Sequence, residues 1–459
     1  MTDYFARAAL LPKGWSDDVL IGVDDAGSIT SIKANVKPSR GAVRLSGPVL
    51  PGMANLHSHA FQRAMAGLAE RAGTGSQDSF WTWRDIMYKF LARLDPQQVG
   101  AIAAQLYVEM LKSGYTTVGE FHYLHHQPDG KPYDSLTEMA DQVIGAAGRT
   151  GIAMTMLPVL YTYSGFGAKP HAPQQRRFIN GADRFLRIFE DLHSRHVDDP
   201  QVRLGIAPHS LRAVSKGVLS EAITGLNRMD PTAPIHIHIA EQAKEVEDCK
   251  AWSNLRPVTW LYTNFNVDER WCLIHATHIN RMETWMVAHS RAVTGICPTT
   301  EANLGDGIFP LGLYMRGEGR FGIGSDSHIS VSPIEELRWL EYVQRLRREI
   351  RNVMSTDKQR HVGARMWNAA LSGGAQALGR PIDGLKVGNR ADFIALDANH
   401  PVLFGRRGHA LTDSLVFSGN SNSISDVVVG GQQVISDGHH KDEEKIARAY
   451  RKAVGDLMA

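Results

Sequence analysis

Short, strongly apolar runs recur through the middle of the chain, each closing on a polar or turn-forming residue. They fall at residues 47–59, 116–124, 151–161, 202–210, 234–242, 271–279, 292–300 and 320–327. Most are rich in β-branched residues and apolar throughout rather than alternating, the pattern of parallel strands covered on both faces. Segments such as 96–113 and 217–227 read as helices between them. An eightfold strand–helix repetition predicts an α/β chain closed into a (β/α)₈ TIM-like barrel.

The two ends follow a different pattern. Residues 19–36 hold two apolar runs split by Asp24-Asp25-Ala26-Gly27, a hairpin signal. Residues 391–397 and 424–438 are again short strands punctuated by Gly and Asp. These segments predict a small β-sandwich domain built from both chain ends, with two separate flaps as the alternative. The expected division is 1–48 for the N-terminal part of that domain, 49–383 for the metal-dependent catalytic barrel, and 384–459 for the C-terminal part with a terminal helix.

With 459 residues the chain can bury such a barrel, which takes about 250 residues, and a smaller satellite. Fifty Lys and Arg against 48 Asp and Glu leave a net charge of +2, which gives no electrostatic case for nucleic acid or an acidic membrane surface as partner. Cys249, Cys272 and Cys297 form no CxxC pair, so neither a disulfide framework nor a cysteine-rich zinc site is expected, and a reducing compartment fits. No apolar run reaches the roughly 20 residues of a membrane span, and Met1-Thr2-Asp3-Tyr4 lacks a basic leader. Cytoplasmic location is therefore expected. The 20 histidines direct attention to imidazole chemistry.

The first run ends Leu56-His57-Ser58-His59. Strand side chains alternate, so His57 and His59 leave the same face and can share one borderline divalent ion. They stand at the C-terminal end of the first barrel strand, where barrel active sites are built. The fifth run, Ile235-His236-Ile237-His238-Ile239-Ala240-Glu241, puts two more histidines on one face. His238, nearer the tip, is the better third ligand, and His236, a layer deeper, reads as packed. Glu241 opens the following loop and can lean over a substrate. His275 ends the sixth run. Asp326 follows Gly322 and Gly324 at the tip of the eighth, where a carboxylate can bind metal and accept a proton. Packing alone does not place such residues at the tips of strands one, five, six and eight together.

This constellation resembles the amidohydrolase superfamily over nearly the whole chain. His238-x-x-Glu241 is similar to its mononuclear deaminase branch, and the fourth run offers no lysine to bridge two metals. More narrowly, Leu50-Pro51-Gly52-Met53-Ala54-Asn55-Leu56-His57-Ser58-His59-Ala60-Phe61-Gln62-Arg63 and the stretch from Cys297 to Gly307 resemble the formimino-glutamate deiminases of bacterial histidine breakdown.

The resemblance implies one Zn²⁺ per chain on His57, His59, His238 and Asp326. It implies Asp326 as acceptor of the proton of the attacking water, His275 as stabiliser of the oxygen that gains charge, and Glu241 as the acid that protonates the leaving nitrogen. The implied reaction converts N-formimino-L-glutamate to N-formyl-L-glutamate and ammonia. A small dicarboxylate amidine calls for guanidinium partners. Arg84, in the first βα loop after Trp81 and Trp83, and Arg212, after the fourth strand, are the candidates. Gln62, Tyr123 and His209 stand just beyond strand tips and can complete the substrate pocket. His122, His125 and His126 read as loop residues, and His328 is the nearest rival beside Asp326. A homodimer is the expected assembly. The alternatives are a deaminase of a purine, a pyrimidine or another formimino amino acid on the same metal site, and a silent barrel used for binding, which a missing ligand would betray. No ligand is missing.

Overall fold

The computed structural model describes residues 1–71 and 80–459. The barrel strands are Met53–Ser58, Tyr115–His122, Ala153–Leu160, Val202–Leu204 continued by Ala207–Pro208, Ile235–Ile239, Trp271–His275, Val293–Ile296 and Arg320–Ile323. Neighbours pair in parallel from the first strand to the fourth and from the fifth round to the first. Bridges Ile206–Ile235 and Ser210–His238 join the fourth strand to the fifth and close the ring. Every residue of the first, second, third, fifth, sixth and seventh strands is buried, which is why these runs carry no alternation.

The helix Pro96–Ser113 shows how local sequence sets an element's ends. Asp95 accepts from the Gln98 backbone N–H at 2.7 Å while Gln98 accepts from the Asp95 N–H at 3.1 Å, a reciprocal cap with Pro96 at the first helical position. Gly114, at φ 102°, turns the chain out of the helix and into the second barrel strand.

The run at 47–59 divides between two sheets. Met53–Ser58 belongs to the barrel, whereas Val49–Pro51 pairs parallel to Thr2–Leu11 and antiparallel to Phe393–Leu396. Gly52 lies at the crossing, where a Cβ would collide with the Thr116 side chain. Val49–Pro51 thereby stitches the chain ends into one sheet, in place of two separate flaps. Its N-terminal part is Thr2–Leu11, Gly14–Val23, Ile29–Lys33 and Val43–Arg44, and its C-terminal part is Phe393–Leu396, Ile424–Val429, Gln432–Ser436 and His439–His440. Alternation divides the two faces. Val49, Phe393, Ala395 and Val428 fill a small core with Tyr4 and Ile21, while Leu50, Ile394, Leu396 and Val427 join the main core. The terminal helix is Glu443–Met458. Among the described residues no helix is long and apolar enough to cross a membrane.

Candidate active site

The C-terminal tips of the first, fifth, sixth and eighth strands bring His57, His59, His238, His275 and Asp326 together. Asp326 is drawn in by backbone bonds to the first strand, with its N–H donating to the His57 carbonyl at 3.0 Å and its carbonyl accepting from the His59 N–H at 3.3 Å. Its Oδ1 is 3.4 Å from Nε2 of both His57 and His59. The Nε2 atoms of His238 and His57 are 3.0 Å apart. The rings of His238 and His275, on neighbouring strands, stack at 5.6 Å between centroids.

These side chains are held from behind. His59 Nδ1 donates to the Phe121 carbonyl at 2.9 Å and His238 Nδ1 to the His209 carbonyl at 3.0 Å, which turns both Nε2 lone pairs inward. Burial pushes His57, His59 and His238 below their ordinary pKa, so they are neutral, the form that binds a cation. Ligand atoms lie within 4.8 Å of one another in the sets His57–His59–Asp326 and His57–His238–His275. Three neutral imidazoles and a carboxylate, with the second nitrogens of His59 and His238 anchored, fit a borderline divalent ion.

Backbone strain sits at the same tips. Ala240, His275, Ala276 and Asp326 all have positive φ, between 46° and 67°. For non-glycine residues this conformation costs about 1–3 kcal/mol each and persists where surroundings enforce it. Here it re-aims His275 and Asp326 from the strand direction into the mouth of the barrel, and it directs Glu241 over the same space.

Glu241 is buried, with Oε1 at 3.8 Å from His275 Nε2 and Oε2 at 3.8 Å from the Arg212 guanidinium. Burial pushes its carboxyl up to about 7, against the pull of His275 and Arg212. Burial works against charge on His275, yet the carboxylates of Glu241, Glu301 and Asp326 outweigh it and push that ring up to about 10. Asp306, buried nearby and accepting from the Gln242 side chain, is raised to about 9 by burial and then by Glu241.

Gln62, Arg84, Tyr123, His209 and Arg212 all line one pocket with His59, His238, Glu241, His275 and Asp326, and His57 lies in ligand distance of His59, His238, His275 and Asp326. Gln62 Nε2 donates to the Tyr123 hydroxyl at 2.9 Å, and its Oε1 is buried with no partner among the described residues. Trp83 is part of the wall, and the Trp81 side chain lies outside the described residues. A roomier groove of 820 Å³ runs between Pro96–Ser113 and Glu443–Met458, but none of the metal-binding clusters found among the described residues borders it.

Other histidines are structural. His236 Nε2 donates to the Ala377 carbonyl at 2.7 Å, one layer below the site, as its position predicts. His328 is held between Ser58 at 3.2 Å and Ser325 at 2.9 Å, away from the pocket. The reading of His122, His125 and His126 as loop residues is corrected in one respect: all three are buried, and His122 closes the second strand. His125 and His126 bond the carbonyls of Val159 and Ile179, each at 3.0 Å.

Sequence reasoning missed several supports. Glu120 accepts from Ser58 Oγ at 2.6 Å, the Ala60 N–H at 2.7 Å and the Tyr107 hydroxyl at 3.1 Å, and so anchors the turn that carries His57 and His59. Tyr161 and Phe178 add aromatic wall. Glu301 lies against His275, within the stretch from Cys297 to Gly307 that carries part of the family resemblance.

The model of the amidohydrolase family matches residues 49–434, and that of the formimidoylglutamate deiminase HutF N-terminal domain matches residues 1–44. The formimidoylglutamate deiminase of Pseudomonas aeruginosa is 50% identical over 458 residues, covering 100% of each chain. A 5-methylthioadenosine/S-adenosylhomocysteine deaminase of Natronomonas pharaonis is 25% identical over 393 residues, 85% of this chain and 81% of that protein. Among solved structures, an amidohydrolase from Brucella melitensis superposes with a TM-score of 0.95 at 47% identity over 100% of both chains. A zinc-bound adenosine deaminase from Xanthomonas campestris shares the fold, with a TM-score of 0.81 at 19% identity over 100% of this chain and 98% of that one.

Proposed function

The chain belongs to the amidohydrolase family, and from that premise we propose that it catalyses the hydrolytic deimination of N-formimino-L-glutamate to N-formyl-L-glutamate and ammonia. It is a hydrolase acting on a carbon–nitrogen bond of a linear amidine. The observation that carries the reading is one pocket lined by His59, His238, Asp326, Glu241, His275, Arg84 and Arg212, with His57 in ligand distance of its three histidines and Asp326.

His57, His59, His238 and Asp326 would hold one zinc ion. When bound, the ion supplies Lewis acidity that makes water reactive at neutral pH. Asp326, within 3.8 Å of His275, takes the proton of the water that attacks the formimino carbon. His275 Nε2 faces the oxygen that gains charge and donates to it. Glu241 carries a proton to the nitrogen that leaves as ammonia, and a carboxyl raised to about 7 is matched to that task near neutral pH. Arg84 and Arg212 take the two substrate carboxylates. Gln62 Oε1, a buried acceptor, suits an N–H of the formimino group, with Tyr123 and His209 completing the wall. Cytoplasmic location, a role in histidine breakdown and a homodimeric assembly belong to the same reading, and the three buried, unbridged thiols Cys249, Cys272 and Cys297 suit the first of these.

The test is ammonia release from N-formimino-L-glutamate, N-formimino-L-aspartate, guanine and cytosine, run side by side. The first is expected to give the highest kcat/KM, and a comparable value on either ring would overturn the substrate assignment. Elemental analysis is expected to find one zinc per chain. His238→Ala should lower metal content and rate together, because it removes a ligand whose other nitrogen is anchored on His209. Two tightly held ions per chain would sink the mononuclear assignment.

A further inference from the structure

We propose that Glu301 is a positioning residue for this reaction, holding the His275 ring so that Nε2 faces the reacting atoms. The inference rests on the deiminase reading above. Glu301 lies in the short helix Pro298–Leu304 that follows the seventh strand, and it is buried. Its Oε1 accepts from the Cys297 backbone N–H at 3.0 Å and from His275 Nδ1 at 3.2 Å. The first contact fixes the carboxylate, and the second makes Nδ1 a donor. On the far edge of the ring, Nε2 stands 3.8 Å from Glu241 Oε1 and 3.8 Å from Asp326 Oδ2, midway between the two groups that move protons.

At φ 67° the His275 backbone has left the strand conformation and aims the ring into the barrel mouth, and Ala276 follows at φ 48°. Stacking on His238 sets the plane of the buried ring, and Glu301, through Nδ1, sets which nitrogen faces the site. This is the logic by which a buried acid sets the tautomer and direction of a working histidine. The bland reading is that Glu301 only ties its helix to the seventh strand through Cys297. The two readings separate because Gln at 301 keeps an oxygen for both N–H donors yet lacks the negative charge that balances the His275 ring as it donates from Nε2.

Wild type, Glu301→Gln, His275→Asn and the double variant should be compared for kcat and KM on N-formimino-L-glutamate, metal content and thermal unfolding. Glu301→Gln is expected to lower kcat about 10–100-fold with KM and metal content within about twofold of wild type. In the His275→Asn background the same change should alter the residual kcat less than about twofold, since there is no ring left to hold. A Glu301→Gln enzyme within about twofold of wild-type kcat, or an equal loss in both backgrounds, would overturn the proposal. A readout independent of any variant at 301 is the ring ¹⁵N spectrum of the wild type, with His275 assigned by its loss in His275→Asn. Nδ1 is expected to carry a proton, and a bare Nδ1 overturns the contact. Failure of the deiminase reading would look different: the wild type would release no ammonia from N-formimino-L-glutamate while the ¹⁵N spectrum still decided on Glu301.

Discussion

Replacing Glu241 with Gln is expected to leave the metal in place and lower turnover of N-formimino-L-glutamate by about 10²–10⁴-fold, the usual worth of a positioned general acid. The amide keeps the shape of the side chain and can still face His275 and Arg212, each 3.8 Å away. What it loses is the proton. An amidine carbon accepts water only as its nitrogen is protonated into a leaving group, and Glu241 is the buried acid whose carboxyl, at about 7, can give up a proton near neutral pH. None of the proposed ligands is touched, so zinc content should match wild type. The measurement is kcat at saturating substrate with metal analysis of the same sample. Near-normal turnover would show that another group delivers the proton, with His275 the first to examine.

The strand tips were readable because alternation is a property of the sequence itself. His57-x-His59 and His236-x-His238 state which face each side chain leaves, and the end of an apolar run states the height in the barrel. The split of residues 47–59 was not readable in the same way. The run is apolar on both sides of Gly52, and nothing local says that Val49–Pro51 pairs with strands at both ends of the chain. Thr2–Leu11 escaped for a related reason, since its alanines give neither a clean alternation nor a β-branched run.

The residues behind the site were harder still. Glu120 is an acid in the middle of a buried strand, and only the folded barrel brings Ser58, Ala60 and Tyr107 to it. Glu301 and Asp306 were visible as acids in a distinctive stretch, but that one reaches His275 and the other Gln242 depends on how the seventh strand turns into its helix. The left-handed conformation of His275 and Asp326 has no sequence signal at all. Glycine would announce such a turn, whereas here a functional side chain occupies it and the surrounding bonds hold the strain.

The second large effect concerns the arginines, which decide whether the pocket reads a dicarboxylate. Arg84→Met and Arg212→Met are each expected to lower kcat/KM for N-formimino-L-glutamate by roughly 30- to several-thousand-fold, about 2–5 kcal/mol for stranding one partner of a buried charge pair. The two should differ in kind. Arg84 is half-buried on the helix Phe80–Leu91, with its guanidinium carbon 5.5 Å from the centre of the Tyr88 ring, and it lines the same pocket. Its loss should fall mainly on KM. Arg212 is 11% exposed and also lies 3.8 Å from Glu241, so its loss should raise the Glu241 carboxyl further and lower kcat as well. Metal content should be unchanged in both, because neither guanidinium is a proposed ligand. Ionic strength separates a clamp from simple steering: an arginine that only attracts substrate from solution gives a small loss that fades as salt screens it, whereas a desolvated contact is screened far less. Losses below about fivefold in both variants, at low and high salt alike, would remove the carboxylate clamp and turn the same metal site toward a ring substrate.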